Sequence, residues 1–294
     1  MKILVTGATG FIGKNLIKYL SSTYQIIALV QDSSDISMIR QYCTPYRYSK
    51  KLEDLIDFIK NERFDGVVHL ATYYQPSHSI EDLDKMLHAN ILFGTYLLEA
   101  LNHCPPKFFI NTMTFSQFAN SSSYSPAGLY DATKQAFCDI IRFYSTKLST
   151  IFCNLLLYNT YGSNDTRPKI FNLWSKIAKT QESFEMSLGE QKIDISHIDD
   201  VIEGFSTLIN LCSQNKINNL STFTLENKRY SLRELAEIFA QITKSTLPII
   251  WGAKPYRDNE IMNPISSKNS GLQKLPNWKP KVSLHKGIKD VFAK

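Results

Sequence analysis

The chain has 294 residues, 43% hydrophobic and 12% aromatic, with 33 Lys and Arg against 27 Asp and Glu for a formal net charge of +6. This is ample for a real core and excludes a disordered chain. No apolar run approaches the ~20 residues that span a bilayer, and Ile3-Leu4-Val5 is too short for a signal-peptide core, so a cytoplasmic protein without membrane partners is expected. Five scattered cysteines (Cys43, Cys104, Cys138, Cys153, Cys212) lack any Cys-x-x-Cys, so neither a disulfide framework nor a metal site is expected; the charge excess forms no nucleic-acid stripe but suits an anionic small substrate.

Residues 2–6 read as a first strand. It runs into Thr6-Gly7-Ala8-Thr9-Gly10-Phe11-Ile12-Gly13, after which Lys14 to Leu20 keep helical spacing. In this Gly-x-x-Gly-x-x-Gly turn, Gly7 permits a tight turn, Gly10 a close approach of backbone to a pyrophosphate, and Gly13 close packing of the helix. The N–H groups and positive dipole end of the helix then face the anion, so Gly7, Thr9, Gly10, Phe11, Ile12 and Gly13 are expected to bind a dinucleotide.

A second strand is predicted over residues 25–30. Val30 takes the place where NAD enzymes offer an acid to the adenosine ribose, so NADP is favoured, with Gln31, Ser33, Ser34 and Arg40 around a 2′-phosphate. NAD remains open, because Asp32 would reverse the choice if the strand ran one or two residues further.

Further strands are predicted over 66–70, 107–111 and 151–157. Their near-continuous apolar character demands burial on both faces, hence a parallel sheet covered by helices: an α/β, Rossmann-like, doubly wound fold. After Gly162 the rhythm changes to a Ser-Asn-Asp-Thr-Arg-Pro loop, a helix over 171–179 and shorter elements. Residues 1–161 are therefore expected to form the dinucleotide-binding domain and 162–294 mainly a smaller substrate lobe, with a helix around 200–211 packing back on the first domain. Asp199 and Asp200 at that helix's start are read as capping and dipole residues. His69 and His197, at element junctions, are read as structural.

Tyr130-Asp131-Ala132-Thr133-Lys134, the glycine turn and the Thr-bearing segment before it resemble the extended short-chain dehydrogenase/reductase family that acts on nucleotide sugars. The resemblance runs nearly the length of the chain. It includes His69-Leu70-Ala71 beside the cofactor, Asn90-Ile91-Leu92-Phe93-Gly94-Thr95, Asn159-Thr160-Tyr161-Gly162, Tyr256-Arg257-Asp258-Asn259-Glu260 and Leu275-Pro276-Asn277-Trp278-Lys279-Pro280. It implies that Leu70 and Ala71 touch the cofactor and that Thr114, Tyr130 and Lys134 are catalytic, with Thr114 holding the substrate carbonyl or hydroxyl. Tyr and Lys at i and i+4 share one helix face, so Lys134 is expected to lower the Tyr130 phenol's pKa from about 10 and ready it for proton transfer.

The departures are informative. The family's 4,6-dehydratases carry Asp-Glu after the Thr, and its decarboxylases a Glu; here Phe115-Ser116 follow, so neither reaction is expected. Ser116 also stands where the family's GDP-fucose-forming member has a cysteine, and is a poor acid or base toward carbon. Only 15 residues separate Thr114 from Tyr130, which implies a trimmed substrate-facing loop. The family's phosphate-facing arginine is replaced by Ile193, leaving Arg257 to neutralise the substrate diphosphate with Asn159 beside it. These features point to an NAD(P)H-dependent 4-ketoreductase of a nucleotide-linked 4-keto-6-deoxy sugar for a surface polysaccharide, resembling the CDP-abequose and CDP-paratose synthase group, with GDP- or dTDP-linked sugars also open. An NAD-dependent 4-epimerase and a non-catalytic NADP-sensing protein are the alternatives. A homodimer through the helices over 84–101 and 130–147 is possible on their apolar faces.

Overall fold

Apolar residues on both faces of every central strand dictate the architecture of the computed structural model, which describes residues 1–293. The first half alternates strand and helix: β1 (Lys2–Thr6), α1 (Phe11–Leu20), β2 (Gln25–Gln31), β3 (Thr44–Tyr48), α2 (Leu52–Glu62) and β4 (Gly66–His69). It continues through α3 (Ile80–Leu87), a π-helical turn (His88–Leu92), α4 (Phe93–Leu101), β5 (Phe108–Thr114), a 3-10 turn (Phe115–Phe118), α5 (Leu129–Tyr144) and β6 (Ile151–Leu157). The second half comprises β7 (Asn159–Tyr161), α6 (Ile170–Thr180), β8 (Phe184–Met186), β9 (Lys192–His197), α7 (Ile198–Ser213), β10 (Ser221–Thr224) and β11 (Arg229–Ser231). It ends with α8 (Leu232–Thr243), β12 (Ile249–Trp251), β13 (Gln273–Lys274) and α9 (Leu284–Phe292).

Eight strands pair in the order β13-β10-β6-β5-β4-β1-β2-β3, every pair parallel. The chain reverses its direction of travel across the sheet at β1, so a crevice opens beyond the carboxyl ends of β1 and β4. Side chains alternate between two cores. Ile3, Val5, Val68 and Ile110 pack with α1 and α7 through Leu16, Ile17 and Phe205, whereas Leu4, Val67, Phe109 and Phe152 pack with α2, α4 and α5 through Leu55, Leu97 and Phe137. Fully burying each such side chain contributes roughly 1.5–3 kcal/mol, and any polar insertion would lose that contribution.

The second half contributes to both parts of the molecule. α7 packs against α1, and β10 and β13 extend the main sheet beside β6. A separate core of Phe171, Trp174, Leu235, Phe239 and Ile288 joins α6, α8 and α9. The small sheets β11-β9-β7 and β12-β8 accompany it.

Three local expectations change. β5 runs on to Thr114, so this residue ends a strand at the crevice mouth. β3 was not anticipated: its Thr44-Pro45-Tyr46-Arg47-Tyr48 is an edge strand, half exposed and interrupted by proline. α7 is capped by His197, whose Nδ1 accepts the Asp199 N–H at 3.3 Å, and not by the two acids. The buried Asp200 carboxylate instead accepts from the Lys281 and Val282 N–H groups, anchoring the segment before α9. Among the described residues no helix is long and apolar enough to cross a membrane, and all five cysteines are free thiols.

Candidate active site

A cleft of about 1500 Å³ runs along the carboxyl ends of the sheet and is lined from the second half by residues of β7, β9 and the segment 257–261. Gly7, Thr9, Gly10, Phe11, Ile12, Gly13, Gln31, Leu70, Ala71, Thr114, Tyr130, Asn159 and Arg257 all line it. Lys134 lies buried beneath its floor, whereas Ser33 and Arg40 lie outside the lining.

The glycine turn fits a dinucleotide on its own geometry. Gly7 adopts φ +65°, and a Cβ there would come within 2.5 Å of the Leu70 carbonyl carbon and 2.6 Å of the Ala71 nitrogen. A Cβ on Gly13 would stand 2.3 Å from the Gly7 oxygen. α1 follows Gly10, which offers no side-chain cap, and has no acid in its first turn, so its N–H groups are left for an anion. The Arg167 guanidinium lies 4.3 Å from the Phe11 ring centroid and is held by Asp165 at 2.7 and 2.8 Å.

β2 extends one residue beyond expectation. This is the extension that would have handed the acid position to Asp32, but Asp32 lies past the strand end and does not line the cleft; Val30 is buried and paired with Arg47, and Gln31 is the strand's last residue at the cleft. Arg47 secures this turn by donating to the Gln31 carbonyl at 3.2 Å and to the Asp32 carbonyl. Ser34, Tyr48 and Lys50 line the cleft here, and Lys50 is a cation the sequence reading did not single out.

Beneath the opposite end, Thr6 and His69 hydrogen-bond at 2.9 Å, and Thr6 accepts the Ala71 N–H at 3.2 Å. Burial, reinforced by Lys134, pushes the His69 imidazole down to about 3, so it stays neutral. Asn90 ties the Thr72-Tyr73 loop to α5: it accepts from the Tyr73 N–H at 2.7 Å and donates to Thr133 Oγ1 at 2.9 Å. The Asn-x-x-Gly-Thr segment is thus a brace, with Gly94 leaving room for the Phe137 ring.

At the reacting end, the Tyr130 ring meets Tyr74 edge-on at 4.8 Å between centroids. Burial raises the Tyr130 phenol well above its ordinary pKa, Thr72 opposing and Asp131 adding to the rise. This corrects the expectation that Lys134 lowers it: the ammonium donates to Thr112 at 3.4 Å, and burial lowers Lys134 itself to about 8. Thr114 Oγ1 lies 2.8 Å from Ser116 Oγ, and Ser116 donates to Asp131. No sequence spacing announced this last pair, because the two residues come from different elements.

The far wall is cationic. Lys169 sits 4.5 Å from the Tyr74 ring centroid, and burial, then Arg167, lower its pKa. Arg257 and Lys192, the latter paired with Glu234 at 3.5 Å, also line the cleft; Arg167 and Lys169 were legible only as a basic pair flanking Pro168. Asn159 donates to the Asp194 carbonyl at 3.1 Å. Among the described residues no cluster of His, Cys, Asp or Glu could hold a metal.

Residues 3–220 match the family model described as NAD dependent epimerase/dehydratase. The chain is 28% identical over 298 residues to a CDP-abequose synthase of Salmonella muenchen, covering 99% of this chain and 97% of the relative. It is 23% identical over 309 residues to the dTDP-4-dehydro-6-deoxyglucose reductase of Escherichia coli, covering 97% and 95%. Its fold is similar to that of a UDP-glucose 4-epimerase from Thermotoga maritima, with a TM-score of 0.83, 20% identity, and coverage of 98% and 96%.

Proposed function

The chain belongs to the NAD dependent epimerase/dehydratase family, and we propose that it is a 4-ketoreductase within it, reducing the 4-keto group of a nucleotide-linked 4-keto-6-deoxy sugar with NADPH. It is an NAD(P)-dependent oxidoreductase acting on a nucleotide sugar. The observation that carries the finer reading is the end of β5. Thr114 passes directly into Phe115 and Ser116, placing hydroxyls where expulsion of water would call for an acid and a base. The relative named as a reductase of a 4-dehydro-6-deoxy sugar supports the substrate class, and the CDP-abequose synthases favour a CDP-linked one. Such a product suits a surface polysaccharide.

When bound, the reduced nicotinamide supplies a hydride. The glycine turn and the start of α1 would hold the cofactor diphosphate, and Gln31, Ser34 and Lys50, which line the cleft at the end of β2, would meet its adenosine; the cation and the lack of an acid there favour NADPH. Thr114 orients the sugar oxygen and Tyr130 passes it a proton. Lys134 keeps a positive charge beneath the floor. Arg257 and Lys169 neutralise the sugar's diphosphate beside Asn159.

The test offers the purified protein NADPH, then NADH, with CDP-, dTDP- and GDP-linked 4-keto-6-deoxy sugars. Stoichiometric cofactor oxidation with a two-hydrogen mass gain is expected. Isomerisation of a nucleotide hexose by protein-bound NAD, without consumption, would make it an epimerase instead.

A further inference from the structure

α5 brings a carboxyl group to the reacting end of the cleft from the position next to Tyr130. Asp131 is 5% exposed, lines the cleft and makes no ion pair within 4 Å among the described residues. Ser116 Oγ donates to Asp131 Oδ1, and Ser116 Oγ itself stands 2.8 Å from Thr114 Oγ1. Thr114 Oγ1 also accepts the Ser116 N–H at 3.4 Å.

Proton counting fixes the direction of this chain. The two oxygen-to-oxygen links need two protons, and Ser116 has one. When Asp131 is ionised, Ser116 donates to it, so Thr114 must fill the second link with its own hydroxyl proton and offers the substrate only lone pairs. When Asp131 is protonated, it donates to Ser116, Ser116 donates to Thr114, and the Thr114 proton is free to point outward. A ketone oxygen can only accept; an alcohol can also donate.

We propose that Asp131, acting through Ser116, is the positioning residue that sets the donor direction of Thr114, so that a proton on Asp131 lets Thr114 donate to the sugar carbonyl, whereas its loss leaves Thr114 able only to accept from the hydroxyl form. This rests on the ketoreductase reading. Its surroundings favour a retained proton: burial raises the carboxyl above the ordinary range, opposed by Ser116 and backbone hydrogen bonds. The groups facing it are the phenols of Tyr74 from the loop after β4, Tyr124 from the loop before α5, and Tyr130 on its own helix. Arg167 and Arg257 act on Tyr74, and Asp139 on Tyr124. Lys134 lies one turn deeper, against Thr112.

The test is the pH dependence of kcat/KM for reduction, in the unaltered protein and in Asp131→Asn and Ser116→Ala, with NADPH binding as the check of folding. In the unaltered protein kcat/KM falls about tenfold per pH unit above the Asp131 ionisation. Asp131→Asn, whose amide N–H can donate to Ser116 at any pH, removes that limb, and Ser116→Ala removes it by cutting the chain in the middle. The separate limb from Lys134, near 8, persists in both. An Asp131→Asn or Ser116→Ala profile superimposable on that of the unaltered protein overturns the relay alone. Failure of the unaltered protein to oxidise NADPH or NADH with any 4-keto sugar overturns the ketoreductase reading and the relay with it.

Discussion

The Lys134 ammonium stands 3.4 Å from the Thr112 hydroxyl oxygen, buried under the cleft floor with no carboxylate paired to it among the described residues. A buried unpaired cation costs stability, and the fold keeps it at the site where a bound cofactor and a developing oxyanion would use it.

Lys134→Met should therefore raise stability while abolishing turnover. Burial lowers the group from 10.5 to about 8, so between those values the unfolded chain holds the proton and the folded chain does not. Stability from this group thus rises with pH across that window and is least below about 8, by on the order of 3 kcal/mol. Thermal unfolding at neutral pH should show Lys134→Met above the unaltered protein; a lower midpoint would mean the ammonium is compensated.

Tyr130→Phe removes the proton donor and little else, since the ring keeps its edge contact with Tyr74. Turnover should fall about 10²–10⁴-fold with the dissociation constant for NADPH nearly unchanged in a fluorescence titration. A rate close to that of the unaltered protein would remove Tyr130 from the mechanism.

Gln31→Asp places a carboxylate at the last residue of β2, where it repels a 2′-phosphate and accepts from a ribose hydroxyl. The ratio of kcat/KM for NADPH to that for NADH should drop about tenfold or more, and Lys50→Ala should lower the NADPH value alone. Equal values for the two cofactors in the unaltered protein would contradict the assignment.

Arg257→Ala should raise KM for the nucleotide sugar about tenfold or more, the worth of one charge-assisted hydrogen bond. KM for the cofactor should stay put. An unchanged sugar KM would leave Lys169 and Lys192 to carry the diphosphate.

The parts of this molecule that were legible in the sequence are those governed by local rules. The glycine turn is set by backbone clearance at Gly7 and Gly13, and the central strands by burial on two faces. Tyr130 and Lys134 lie one turn apart on α5. What escaped depends on distant partners. β13 is two residues long and exists by pairing with β10, so no periodicity announces it. Asp200 looked like a cap, yet its partners lie at Lys281 and Val282. The phenol shift is not legible in the sequence, because the i, i+4 spacing places Lys134 on the right face without revealing that its ammonium turns toward Thr112 and that burial governs Tyr130.

The most direct test follows the hydride itself. NADPH carrying deuterium at both C4 positions is given to the protein with a 4-keto-6-deoxy nucleotide sugar, and the product is read by mass spectrometry and NMR. The account predicts one deuterium, bound to sugar C4, for every NADPH oxidised. A converted sugar without deuterium, with NADPH unconsumed, would contradict it and place hydride removal and return within a single turnover.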